Sequence, residues 1–356
     1  MKPKFDSKVV VQRPLPRRNQ IKDLVGGDKK PFLIFDKVLL KNASIKHWIE
    51  KYDLRYGVTA GEGLKSLDRF SLHLRKIMKL TEGTSRHQLV FVAVGGGSVG
   101  DFAGFLASVY KRGVDLVHVP STFLAAIDSA HGGKTALNIG DIKNQIGTFY
   151  PAKAVIVCES LLANLPPRVF KESLSELAKV GLIQGRSLFA ELSSLGALTK
   201  PSRATPVLQE AIEAKYQVVA KDPFEVTGER YKLNLGHTFG HIIERKFQLS
   251  HGKAVGLGLV FALEYSRDKG LLNSKKSVEL TQWLDEVFGI YADSSIKKQY
   301  QLTKSQFMTV LKQDKKRAKG DQIDFVFLRG PGRLVIEAVP LSDMLNQAKQ
   351  TGWVKG

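Results

Sequence analysis

Chemistry-bearing side chains concentrate in one stretch, RYKLNLGHTFGHIIE from Arg230 to Glu244, and in the His251-Gly252 pair that follows. Three of the eight histidines lie between positions 237 and 251. His237 and His241 are spaced i, i+4, which on a helix puts both rings on one face. Such a pair, completed by a ligand from a following loop or helix, is a metal-binding geometry that leaves a coordination position open. An isolated pair serves equally well as hydrogen-bonded residues on a packed helix. Arg230 and Asn234 precede His237 at spacings of four and three, and so add an anion-binding fork and an amide to the same expected face.

A second group of candidates needs an α/β framework. Leu89–Val94 is a continuous apolar run of the kind buried on both faces of a parallel sheet, and it leads into GGGSVGD, residues 95–101. Strand, glycine turn and helix follow in the order that binds phosphate, because glycines admit a pyrophosphate to the backbone and a helix N-terminus offers unpaired N–H groups. The turn is not the G-x-G-x-x-G of a Rossmann fingerprint. Pro31–Asp36 reads as a strand ending in a carboxylate, either placed to reach a ribose hydroxyl or simply a surface aspartate that ends the strand. Leu116–Val119 is another strand, ending in Ser121 and Thr122; Arg112, Lys134 and Lys143 stand among glycines and small residues, which suits cations facing an anion pocket, although each taken alone reads better as a surface-loop cation.

From about residue 160 the short apolar runs give way to helical periodicity, at 170–183, 207–219, 233–247, 255–265 and 278–288. The expected architecture is therefore an α/β dinucleotide-binding domain with a mostly parallel sheet over residues 1–160, followed by an all-α domain over 161–356, with Pro166-Pro167 as the approximate hinge. Within the first helical stretch Glu176 and Lys179 lie three apart, as an intrahelical ion pair would. Residues 1–30 read as an irregular or edge-strand lead-in.

The chain has 356 residues, enough for two domains and an enclosed site. Its single cysteine, Cys158, cannot form an internal disulfide, and no apolar run reaches the roughly 20 residues of a membrane span. The N-terminus has no signal-peptide h-region, so the expected compartment is the cytoplasm. A net charge of +20 raises the question of nucleic acid. The excess sits in residues 1–30 and 297–319, without the aromatic interleaving or Cys/His spacing of nucleic-acid binders. It is read instead as a solvated surface that steers an anionic substrate.

The motifs VGGGSVGD, DSAHGGKTALN, RYKLNLGHTFGH and HGKAV together resemble the 3-dehydroquinate synthases of the shikimate pathway, within the sugar phosphate cyclases, over roughly residues 30 to 330. That resemblance implies NAD and a divalent metal, zinc or cobalt, held by Glu176, His237 and His251. It implies cofactor contacts from Asp36, Glu62, Lys65, Gly95, Gly96, Gly97, Ser98, Val99, Asp101, Ser121, Thr122 and Lys143. Asp128 and Lys179 are implied in the active site. Lys134, Asn144, Arg230 and His241 would hold a substrate phosphate, with Arg112 reaching it from a neighbouring subunit of a homodimer. Lys215, Asn234 and a lysine of the Asp314-Lys315-Lys316 element would meet a carboxylate and ring hydroxyls.

The activity so implied converts 3-deoxy-D-arabino-heptulosonate 7-phosphate, an anionic sugar acid, into 3-dehydroquinate and phosphate, through transient oxidation by NAD, elimination, reduction and an aldol closure. A sedoheptulose 7-phosphate cyclase and an NAD- and metal-dependent polyol dehydrogenase are the rival readings. Asn234, Arg230, His241 and the Asp-Ser-x-x-Gly-Gly-Lys run favour the synthase. Three features depart from the family pattern: Lys253 stands where an acid is usual, Asn164 where a threonine is usual, and the segment from Lys215 to Arg230 is slightly long.

Overall fold

The computed structural model describes residues 5–140, 142–313 and 318–355. The chain divides into two compact units, residues 1–166 and 167–356. The expected lysine of the 314–316 element lies outside the described residues.

The first unit is built on a six-stranded sheet in the order β1-β8-β5-β4-β2-β3, from β1 (Lys8–Gln12), β2 (Lys30–Asp36), β3 (Arg55–Val58), β4 (Leu89–Gly95), β5 (Asp115–Pro120) and β8 (Ala154–Cys158). Every pairing in it is parallel. All seven residues of β4 are buried, as its uninterrupted apolar run requires. Alternation sorts the side chains to two faces. Phe32, Ile34, Phe91 and Leu116 pack with Phe70 of α3 (Leu67–Leu80) and Phe102 of α4 (Gly97–Val109). Leu33, Val90, Val92 and Val117 pack with Ile21 of α1 (Arg18–Val25) and Trp48 of α2 (Ala43–Glu50). The lead-in thus contains an edge strand, as its valines indicate, and a helix that its mixed composition concealed. An antiparallel hairpin, β6 (Lys134–Ile139) and β7 (Ile142–Phe149), packs against α4.

The second unit is mostly helical, with α5 (Pro167–Gln184), α6 (Leu208–Lys221), α7 (His237–Phe247), α8 (His251–Asp268) and α9 (Ser274–Phe288) as its principal helices. Most residues of α8 are buried, so it is the central helix. Phe239 of α7 stacks on Phe261 of α8 with centroids 4.0 Å apart. The expectation of an all-helical second half needs one correction. β9 (Ala318–Lys319), β10 (Gln322–Gly330) and β11 (Arg333–Pro340) form an antiparallel sheet. Its aromatic residues Phe325 and Phe327 close on Tyr265, at 5.3 and 5.0 Å between centroids, so apolar burial against α8 draws a strand out of QIDFVFLRG. Among the described residues no helix is long and apolar enough to cross a membrane.

Candidate metal and cofactor sites

Three elements of the second unit bring three candidate metal ligands together. Glu176 and Lys179 are buried on α5, His237 is the first residue of α7, and His251 is the first residue of α8. A close approach of backbones makes this convergence possible. A side chain at Gly252 would put its Cβ 1.8 Å from the carbonyl oxygen of Glu172, so only glycine lets the start of α8 lie on α5. Ser175 Oγ donates to the Gly252 carbonyl at 2.7 Å and fixes the crossing.

Glu176 Oε1 lies 3.3 Å from His237 Nε2 and 3.2 Å from His251 Nε2. Glu176 Oε2 makes an ion pair with Lys179 Nζ at 2.5 Å but meets no donor in hydrogen-bond geometry. Burial would raise the Glu176 carboxyl, but the charges of Lys179 and then His237 hold it well below the usual range. His237 is pulled down chiefly by burial and then by Lys179, against the pull of Glu176. For His251 burial is outweighed by its hydrogen bonds to Glu176 and Glu244, which lift it to about 10 in the absence of a metal. The donor atoms of Glu176, His237 and His251 all lie within 4.8 Å of one another. One carboxylate and two imidazoles converging on one point fit a divalent metal of the zinc or cobalt kind.

Arg230, Asn234 and His237 do not share one helical face. Arg230 and Asn234 belong to a 3-10 segment, Glu229–Asn234, and Gly236 at φ 77° breaks the chain before α7 begins. Arg230 is buried, with Nη1 donating to the Pro223 carbonyl at 2.9 Å and Nε 3.7 Å from Glu225 Oε1. Its segment packs on α5 and α6, and α6 carries the buried Lys215. His241 follows His237 one turn along α7, their ring centroids 5.4 Å apart. Two residues of this region escaped the sequence reading. Glu244 sits at i+7 from His237, a spacing that could have found it. Asp222 carried no signal, because its role is to organise an irregular loop.

In the first unit β4 delivers the glycine turn to the N-terminus of α4. Ser121 N donates to the Gly95 carbonyl at 2.9 Å, and Thr122 Cγ2 lies 3.1 Å from where a Cβ on Gly96 would stand. A Cβ on Gly97 would meet Ser129 Oγ at 3.0 Å, and that oxygen is buried without a hydrogen-bond partner among the described residues. Crowded glycines, a helix N-terminus and an orphaned hydroxyl form a cradle that suits a pyrophosphate. Asp128 lies in a π-helical turn, Ala125–Ser129, beside this cradle. Asp36 ends β2, its carboxylate accepting from Val38 N at 3.2 Å.

A polar network joins several of the expected residues. Lys65 Nζ reaches Asp101 Oδ2 at 2.7 Å and Asn144 Oδ1 at 2.5 Å; Asn138 Nδ2 donates to Glu62 Oε2 at 2.8 Å, and Asn138 Oδ1 accepts from Asn144 N at 2.9 Å. Ser98 Oγ accepts from Gly61 N at 2.9 Å. Burial raises the Asp101 carboxyl, against the pull of Lys65. Asn138, which the sequence did not single out, thus links Glu62 to Asn144, the middle member of the network. Asn144 is level with Asn138, whereas Lys134 lies four residues back along β6, roughly 13 Å away along the backbone, a span that a lysine side chain and a bound phosphate can bridge. Lys143 is at the turn end with Asn144, and both are exposed. Arg112 is exposed beyond the C-terminal end of α4, about 20 Å from the glycine turn at its start, and does not join the cradle within one chain.

Family models for the N-terminal and C-terminal parts of 3-dehydroquinate synthase match residues 55–172 and 173–317. The 3-dehydroquinate synthase of Pyrobaculum aerophilum is 37% identical over 292 residues, covering 80% of this chain and 81% of that one. Among solved structures, 2-deoxy-scyllo-inosose synthase complexed with carbaglucose-6-phosphate, NAD+ and Co2+ superposes with a TM-score of 0.80 at 23% identity, over 96% of each chain. The 2-epi-5-epi-valiolone synthase of Streptomyces hygroscopicus, with NAD+ and Zn2+ bound, does so at 0.80 and 22% identity, over 99% of this chain and 98% of that one. At those identities the two structures speak for the fold.

Proposed function

Because the chain belongs to the 3-dehydroquinate synthase family, we infer that it converts 3-deoxy-D-arabino-heptulosonate 7-phosphate into 3-dehydroquinate and inorganic phosphate. The single observation that carries the chemistry is the buried Glu176 with His237 and His251 at 3.3 and 3.2 Å on one of its oxygens and Lys179 on the other. Glu176, His237 and His251 would hold the metal, which when bound supplies Lewis-acid polarisation of a substrate oxygen. Residues 95–99, with Asp36, Glu62, Lys65, Asp101, Ser121, Thr122 and Lys143, would hold NAD, which when bound would supply reversible hydride transfer.

The chain's own groups bind and orient. Lys179 keeps Glu176 ionised in a buried setting and presents an ammonium to a bound anion. Arg230, anchored through Nη1 and buried, offers its guanidinium to the phosphate, with His241 beside His237 as a second donor. Asn234 and Lys215 are the proposed contacts to the carboxylate and hydroxyls. Asp128, Lys134 and Asn144 are proposed substrate contacts of the first unit, Lys134 and Asn144 at the phosphate. A homodimer belongs to this reading, supported by Arg112, whose exposed position at the far end of α4 suits a group acting in a neighbouring subunit. The cytoplasm is the compartment proposed, with Cys158 as a buried thiol. Incubating the purified protein with the heptulosonate phosphate and catalytic NAD tests the reading. Phosphate and dehydroquinate should appear in equal amounts, and turnover of sedoheptulose 7-phosphate in preference would overturn it.

A further inference from the structure

Both metal-ligating histidines face Glu176 Oε1 through Nε2, and in both the other ring nitrogen is engaged. His237 Nδ1 meets the Leu235 carbonyl at 3.3 Å, a backbone acceptor that fixes the proton on Nδ1. His251 Nδ1 meets Glu244 Oε2 at 3.2 Å. His251 is the first residue of α8 and its side chain is 36% exposed, so packing alone does not settle which way its ring turns. Glu244, on the last turns of α7, has a side chain only 17% exposed. The helix that contributes His237 therefore also contributes, two turns later, the acceptor for the ligand on the next helix.

Resting on the metal-site reading above, we propose that Glu244 is a positioning residue: it accepts the Nδ1–H of His251, fixes the tautomer that presents Nε2 toward Glu176, and so pre-forms the metal site. The physical reason is that a histidine ligand must arrive neutral, with its lone pair on the coordinating nitrogen. A carboxylate on the opposite nitrogen selects that tautomer and makes the ring more basic. Glu244 also forms a three-donor group with His241 and His251, within 4.8 Å. A metal held there would use the Nδ1 side of His251 and leave the buried pair of Glu176 and His237 unserved, so the orienting role accounts for more of the geometry.

The test measures Zn2+ and Co2+ dissociation constants by chelator competition on the metal-stripped full-length protein, with Co2+ absorption as a second readout. Glu244→Ala should weaken binding by about 10–100-fold while one metal still binds at saturation. Glu244→Gln should recover most of the affinity and keep the Co2+ spectrum, because the amide oxygen accepts the same N–H. Unchanged affinity in Glu244→Ala overturns the proposal. So does a Glu244→Gln variant that is as weak as alanine and has an altered Co2+ spectrum, since Glu244 would then be a direct ligand. If Glu244→Ala does not fold, the glutamine variant decides by the same two readouts. Glu176→Ala run in parallel separates the premise: retention of the metal there sinks the metal-site reading itself, whatever Glu244 does.

Discussion

The carboxylate of Asp222 accepts the backbone N–H of Arg230 at 3.2 Å, and it also gathers the N–H groups of Val226, Thr227 and Gly228 at 2.7, 3.1 and 3.0 Å. One buried side chain thus closes the loop that presents the Arg230 guanidinium. Asp222→Asn keeps the size but replaces one accepting oxygen with a donor, leaving two of the four N–H groups facing an amide NH2. Only the bond to Arg230 N is fully buried, so at about 1–3 kcal/mol for a buried group left unsatisfied the variant should lose about 1–3 kcal/mol of stability. Chemical denaturation and substrate KM are the measurements, and both should worsen together.

Arg230→Ala should separate the basic site from the basic surface. Loss of a charged, hydrogen-bonded partner in a desolvated setting costs about 2–5 kcal/mol in kcat/KM, and this loss should persist at all salt concentrations. The wild type, steered by its net +20 charge, should lose kcat/KM only modestly between ~50 and ~200 mM salt, with kcat nearly constant. A deficit in Arg230→Ala that vanishes at high salt would place the residue among the steering charges.

Removal of Lys179 should matter more without metal than with it. Lys179→Met strips the buried Glu176 carboxylate of its cation, which costs about 3–5 kcal/mol in the metal-free protein. A bound divalent ion restores positive charge to the same carboxylate. The thermal midpoint of the variant should therefore fall further below wild type in chelator than in saturating zinc; equal deficits would show that Glu176 is not at the metal.

Gly96→Val should raise the NAD requirement far more than the substrate KM. Its Cβ would stand 3.1 Å from Thr122 Cγ2, and its methyl groups would occupy the cradle between two residues assigned to the cofactor. Titration of NAD at fixed substrate checks this, and unchanged NAD affinity would place the cofactor elsewhere.

Acid should destabilise the first unit through His118. Burial on β5 pulls its imidazole from 6.5 down to about 4. The folded pKa lies below the unfolded one, so the unfolded chain binds the proton first as pH falls. The contribution of neutral His118 is complete above about pH 6.5 and is lost toward pH 4, at a cost of roughly 3 kcal/mol. His118→Leu should flatten the fall in thermal midpoint between pH 6.5 and 4.5 relative to wild type.

Local physics wrote much of this protein into its sequence. β4 reads as a buried strand because its short, β-branched apolar run ends at a glycine turn, whereas the longer uncharged run 254–263 is a buried helix. The glycine turn is equally local, whereas the i, i+4 spacing of His237 and His241 marked a pair that the structure divides between two groups of donors. Tertiary structure decided what depends on distant partners. Gly236 at φ 77° divides an apparently continuous helical pattern into a 3-10 segment and α7, and Phe325 and Phe327 become strand residues because Tyr265 offers them a surface. The meeting of Glu176 with His237 and His251 spans 61 and 75 positions of the chain and rests on the backbone contact at Gly252. The assignments of Asn138, Asp222 and Glu244 likewise came from packing, since a carboxylate or amide acquires its role from the N–H groups that folding aims at it.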